Sequence, residues 1–391
     1  MSFPSSSELN KRLENEIKKI VNAGILKPGY IEDSQFGSFY RLLANYFDNP
    51  GDGLYTLSIA YPHLSASLQS QVKTFLKNTY YPKYFDPQLR YRIGWTDGVQ
   101  RDSILMPPEI LEDFKDFPDD YDWKLDESLS WTYNLRYRAN PNIFYAMWKY
   151  AAHVAPEDTQ KIYQRAKAIL TEGSCEWHDC IKVPPVADDA RLIERPFETN
   201  AYIAGHQGFL KLQELAGQAS NDDQLRRRVT DELNRLITLR VDNFSKDTPY
   251  TSWSYGYGRN FINISRNFMF LTPELADQLR SNKLPQIQEA LDEYNTVGAY
   301  WFVSRFKAAA AESGQQNLYD YPSLFAAKAW ILREPGEQLY KYLDTPAFET
   351  GDYFYIQNLV AVIEAPRIES GGSLLSQNQQ TADRSCRWQS H

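Results

Sequence analysis

An all-α fold, built as two concentric layers of helices with one small β-hairpin and long rim loops, is what this sequence predicts. Three observations lead there. Apolar residues recur at helical spacing through most of the 391 residues, strand patterns are sparse, and buried and amphipathic helices alternate in the second half. A helix without a polar face must be covered on all sides, while one with a single apolar face can do the covering. An inner ring wrapped by an outer one meets both needs.

The elements follow in order. Leu9, Leu13, Ile17, Ile20 and Val21 form one stripe, opposed by Lys11, Arg12, Glu14, Glu16, Lys18 and Lys19, which predicts a surface helix with one buried face. Arg90 to Trp95 and Val99 to Met106 flank Thr96-Asp97-Gly98 and read as the hairpin. Asp119-Asp120-Tyr121-Asp122 lies between prolines and reads as a solvated acidic turn. Trp131, Tyr133, Leu135 and Tyr137 alternate with polar residues in an extended segment. Asn140-Pro141 reads as an N-cap and first helical residue, opening a helix that is apolar nearly all round from Asn142 to Trp148.

Long loops are expected at 172–197 and 244–258. Helices near 199–216, 259–270, 322–333 and 352–364 are apolar on all faces and belong to the inner layer. Those at 222–241, with Leu225, Val229, Leu233, Leu236 and Ile237, and at 284–295, with Leu284, Ile287, Leu291 and Tyr294, are amphipathic and belong outside. Thr272-Pro273-Glu274 reads as another helix start, Gly217 as a helix end, and Glu334-Pro335-Gly336 and Ala365-Pro366 as stops. No linker divides the chain, so residues 1–369 read as one domain, followed by a polar, disordered tail at 370–391.

Composition narrows the function classes. The net charge of −8 argues against a protein that holds nucleic acid by phosphate attraction. No run of about 18 apolar residues offers a membrane span. The start, Met1-Ser2-Phe3-Pro4, lacks a basic and an apolar region, so the chain is expected to be cytoplasmic, or secreted or periplasmic if a leader has been removed. Aromatic residues make up 14% of the chain, with 27 Tyr and 9 Trp, which suits a surface on which sugar rings stack. Cys175 and Cys180 are either a short-loop disulfide or loop thiols; with His178 they lack the fourth ligand and the spacing of a zinc site, so no metal is expected. There is no GxxxxGK[ST], no GxGxxG after a strand, no HExxH and no GxSxG, and no cofactor is expected.

Each apolar helix keeps one polar stripe. Glu198, Tyr202 and His206 fall at steps of four, Asn200 and Gln207 at a step of seven. Arg259, Asn263 and Arg266 share a face, as do Asn142, Tyr145 and Lys149; Tyr355 and Asn358 follow Asp352. Buried polar groups cost roughly 1–3 kcal/mol each when unpaired. Such stripes either pair with one another or line a wet cavity, and their convergence favours the cavity.

The segment from Asn200 through Ala201-Tyr202-Ile203-Ala204-Gly205-His206-Gln207-Gly208 to Gly217, followed by an amphipathic helix, resembles an inner helix of the α/α-toroid enzymes. These helical barrels occur among polysaccharide lyases and six-hairpin glycoside hydrolases; the resemblance spans about residues 35–365 and rests on pattern. It implies an α/α toroid that cleaves a uronate-containing polysaccharide or oligosaccharide by β-elimination, with no nucleic-acid or membrane partner. In such lyases Asn and Arg neutralise the carboxylate while Tyr or His removes the C5 proton. The matching cluster is Trp253-Ser254-Tyr255-Gly256-Tyr257-Gly258-Arg259-Asn260. The resemblance thus implies Tyr257, Arg259, Asn200 and His206 as catalytic residues, and Trp95, Trp253, Tyr255, Asn263, Arg266, Tyr202 and Asp320 as substrate-binding residues. A hydrolase would instead use Glu198, Asp320 and Asp352, each before an inner helix, as its acid and base. A non-catalytic glycan-binding protein would keep the aromatic groove alone.

Overall fold

The computed structural model describes residues 3–23, 50–79, 142–171, 189–194, 196–245, 267–268, 270–292, 325–341, 343 and 353–365. Among them every regular element is helical and none is a strand. The longer elements are α1 (Ser6–Ala23), α2 (Pro50–Ala60), α3 (Ala66–Thr79), α4 (Ile143–His153), α5 (Thr159–Thr171), α6 (Asp189–Glu194), α7 (Pro196–Leu215), α8 (Asp223–Asp242), α9 (Pro273–Asp292), α10 (Gly336–Tyr340) and α11 (Tyr353–Glu364). A π-helical turn, Lys328–Leu332, precedes α10. The expected hairpin, the acidic turn, the extended segment, both cysteines of the short loop and the tail lie outside the described residues.

Local chemistry explains the boundaries. In α1 the predicted stripe is the buried face: Leu9, Leu13, Ile17 and Ile20 are all fully covered. Pro196 opens α7, where its missing N–H costs nothing. Gly217 closes it at φ 64°, with Gly217 N–H donating to Glu214 and Gln218 N–H to Gln213, the paired bonds of a Schellman turn. Thr272 caps α9, its hydroxyl accepting from Leu275 N–H at 3.2 Å.

Several expectations are corrected. The loop expected at 172–197 contains α6 and the first residues of α7, because Pro196 starts the helix earlier than the apolar pattern does. The helix expected at 259–270 does not reach 270: Phe270 has φ 54°, and Thr272 is already capping the next helix. The amphipathic segment at 284–295 is the second half of α9, which runs through the exposed Pro285 and ends at Asp292. The cap of α4 is Asn142 rather than Asn140. The helix at 322–333 widens into the π turn and stops at Arg333, which is left-handed at φ 56°.

The best-covered helices lie side by side in the order α11, α2, α4, α7. Their directions follow from paired contacts. Gln357 Nε2 donates to Thr56 Oγ1 at 2.7 Å, and His63 meets Glu364 at 3.0 Å; both pairs are separated by 301 residues, so α11 and α2 run parallel. Tyr55 packs on Tyr145 with centroids 5.9 Å apart, and the charge of His63 acts on His153, which makes α2 and α4 parallel too. Gly208 of α7 lies against Tyr145, while Ala216 accepts from Gln160 just beyond the end of α4. All four helices therefore point the same way.

Other helices return along the outside. α8 is antiparallel to α7: Arg240 near its end bonds Asn200 near the start of α7, and Arg226 near its start bonds Glu214. α5 doubles back after α4 through a short 3₁₀ turn and packs on both α4 and α7. At the α4–α7 seam the helices touch backbone to backbone. A Cβ at Gly208 would come within 2.3 Å of Tyr145 N and Cα, so only glycine permits this approach.

Candidate functional site

The structure separates the expected polar stripes into two kinds. Tyr257, Arg259, Trp95, Trp253, Tyr255, Asn263, Arg266, Asp320 and Asp352 lie outside the described residues. Glu198 sits within the first turn of α7 instead of preceding the helix. Asn200, Tyr202 and His206 are all buried in the core.

Asn200 is a crosslink. Its Oδ1 accepts from Arg240 Nε at 2.9 Å and its Nδ2 donates to the Asn267 carbonyl at 2.9 Å. Arg240 Nη2 also donates to that carbonyl and to Asn267 Oδ1, at 2.8 and 3.0 Å, and Asn267 Nδ2 donates to the Ser245 carbonyl. Burial pushes the Arg240 guanidinium down to about 9, yet its donors are matched to neutral acceptors and its plane lies over the Phe244 ring. His206 Nδ1–H donates to the Tyr202 carbonyl at 2.7 Å, and burial lowers its pKa, so the ring is neutral. Its Nε2 has no hydrogen-bond partner among the described residues. Gln207 accepts from Thr272 at 2.7 Å. On α7, Asn200 and Gln207 pair with neighbouring elements, and His206 lies buried in the core with its Nδ1–H bonded to its own helix, where the sequence had suggested catalysis.

The face of α4 is different. Tyr145, Lys149 and His153 follow one another at single-turn steps, with Trp148 beside them. Tyr145 Oη donates to Glu274 Oε2, in the first turn of α9, at 3.0 Å. Burial, then the Tyr55 phenol and the Glu274 charge, raise the Tyr145 pKa far above the ordinary phenol value. The phenol is a fixed donor that orients a carboxylate. Lys149 Nζ stands 4.1 Å from the Trp148 ring centroid and 5.4 Å from that of Tyr145. Burial lowers its pKa, opposed by the charges of Glu274 and Glu364.

At the C-terminal ends of the parallel helices, His63 bonds Glu364 and both act on His153, whose pKa is lowered by burial and by Lys149. Two carboxylates, an ammonium, two imidazoles, the half-buried Trp148 ring and the buried Tyr145 ring thus gather from α4, α9, α11 and the turn that follows α2. None of Lys149, Glu274, Glu364, His63 or His153 was singled out as a site residue by sequence reasoning, although the Asn142–Tyr145–Lys149 stripe was a usable signal. Glu274 was legible only as part of a helix start.

This arrangement offers proton acceptors, a proton donor, one cation for an anion, and one half-buried ring, Trp148, against which a flat apolar face can pack. Among the described residues no group of three or more His, Cys, Asp or Glu side chains is placed to hold a metal ion. No helix among them is long and apolar enough to cross a membrane. Compared with known protein families, curated proteins and solved structures, the chain matches none.

Proposed function

We propose that the protein is an α/α-toroid enzyme that cleaves a uronate-containing polysaccharide or oligosaccharide by β-elimination. The row of four parallel, covered helices with antiparallel helices behind it supports the toroid, and the small hairpin and long loops belong to its rim. The observation that carries the function is the α4 face, where aromatic rings, a cation and a buried-phenol–carboxylate pair stand together. Sugars are bound by stacking on such rings, and polar groups beside them fix orientation.

Elimination breaks the C5–H and C4–O bonds, passes the C5 proton to a base, gives a proton to the leaving oxygen and leaves a C4=C5 double bond. It requires the neighbouring carboxylate to be neutralised first. Tyr257 remains the proposed base and Arg259 the proposed carboxylate clamp. Tyr255, Trp253, Trp95, Asn263, Arg266 and Asp320 are the proposed binding residues. Asn200, Tyr202 and His206 leave this set, because they are core residues. Glu274, oriented by Tyr145, joins it as a second proton acceptor.

A hydrolase reading gains support from one observation: the charges of Glu274 and Glu364 both reach Lys149 and Tyr145, so two carboxylates stand near one face of α4. Incubation with a panel of uronate polymers separates the readings. Elimination yields an unsaturated sugar that absorbs in the ultraviolet; hydrolysis yields reducing ends without that absorbance. Binding without either product would support a non-catalytic glycan-binding protein and overturn the enzyme.

A further inference from the structure

We infer that Lys149, walled by Trp148 and Tyr145, is an anion subsite that reads the carboxylate of one uronate residue of the bound saccharide. This inference rests on the acidic-saccharide reading and assigns a substrate group to a residue that the sequence pattern left without a role.

An ammonium that is half-buried gives up part of its hydration, a cost that proteins ordinarily offset with a carboxylate at contact distance. Two other lysines follow that rule: Lys328, almost fully buried, pairs with Glu334 at 3.4 Å, and Lys167 pairs with Asp222 at 2.5 Å. Lys149 breaks it. Among the described residues it makes no ion pair and no hydrogen bond, and its ammonium stands over the Trp148 ring and near the Tyr145 ring.

The nearby carboxylates do not fill the gap. One oxygen of Glu274 takes the Tyr145 hydroxyl, and Glu364 bonds His63; their charges reach Lys149 without contact. The ammonium therefore keeps hydrogen-bonding capacity toward an anion arriving from the solvent side of the row. The half-buried Trp148 ring beside it, unlike the buried Tyr145 ring, can meet the C–H face of a sugar, so a carboxylate carried on a pyranose suits the site better than a free ion. A ligand carboxylate also favours the charged amine that burial disfavours, so binding and protonation of Lys149 reinforce each other.

The experiment measures binding of oligomers of galacturonate, glucuronate and mannuronate to the full chain, each against its own methyl ester, which keeps the sugar and removes the charge. At least one acid should bind roughly 10- to 100-fold more tightly than its ester, as expected for a hydrogen bond to a charged group. Lys149→Met should erase that preference, and Lys149→Arg should retain most of it. Should Lys149→Met fail to fold, Lys149→Gln and the wild-type acid-to-ester ratio carry the test. Wild-type binding that ignores esterification, or a preference that survives in Lys149→Met or Lys149→Gln, overturns the subsite. Product formation is read separately. An acid preference that depends on Lys149 but yields no unsaturated sugar defeats elimination and leaves the subsite standing. Unsaturated product with a preference indifferent to Lys149 does the reverse.

Discussion

The polar stripe of α7 and the polar face of α4 look alike in sequence and behave oppositely in the fold. On α7, Asn200 and Gln207 meet Arg240, Asn267 and Thr272 with matched donors and acceptors, and even a fully buried guanidinium has its oxygens. On α4, the Lys149 ammonium faces aromatic rings and stands without an ion pair among the described residues. The lesson is that burial of polar groups does not identify a site. Satisfaction does: a stripe whose partners are complete is architecture, and one left with capacity is available for a ligand.

The comparison can be broken first at the seam that joins the two helices. Gly208→Ala should force α4 and α7 apart, since its Cβ would enter the backbone of Tyr145. We expect a loss of about 3 kcal/mol or more, at or above the upper end of overpacking costs, read by chemical denaturation. The same variant should disturb the α4 face, because Tyr145 and Lys149 are carried on the displaced helix.

The closed stripe comes next. Asn267→Ala removes one acceptor from Arg240 and the donor to the Ser245 carbonyl, and should cost roughly 1–3 kcal/mol. His206, buried on the same helix, gives α7 a pH signature. Its folded pKa is depressed by burial, so the unfolded chain binds its proton first. Stability should therefore be full above the ordinary histidine value of about 6.5 and fall as pH drops below it, by at most about 1.4 kcal/mol per pH unit for one proton. His206→Leu should flatten the decline between pH 6.5 and 5 in a series of thermal melts; an unchanged slope would assign the titration to other groups.

Much of the fold was legible because it is written in local periodicity. The stripes of α1, α8 and α9, the all-round apolarity of α7 and α11, the Thr272 cap and the Gly217 stop each depend on neighbours within a few residues. α2 was not legible: Gly51 and Gly53 weaken its start, and Thr56 and Ser58, both fully buried, blur its apolar pattern. The division between the two stripes was beyond the sequence for a physical reason. Asn200 finds its partners 40 and 67 residues away, and His63 meets Glu364 across 301. Spacing along one helix reveals which residues share a face, but completeness of their bonding is a tertiary property.

The smallest expected effect sharpens the open side. Tyr145→Phe removes the bond to Glu274, whose half-buried carboxylate can recover water, so stability should fall by only about 0.5–1.5 kcal/mol. Any cleavage activity should fall by more than that loss explains, because the carboxylate loses its orientation; equal effects on both would make Tyr145 a packing residue.

The central claim, that the Asn200–Gln207 row of α7 is closed and the α4 face open, is tested most directly by denaturing two variants side by side. Arg240→Met strips the donors from Asn200 and Asn267 and leaves buried acceptors unpaired, whereas Lys149→Met removes a charge with no bond to lose. The account predicts a loss of roughly 2–4 kcal/mol for Arg240→Met and a change within about 0.5 kcal/mol for Lys149→Met. Lys149→Met as destabilising as Arg240→Met would contradict it, and would return the α4 face to the core.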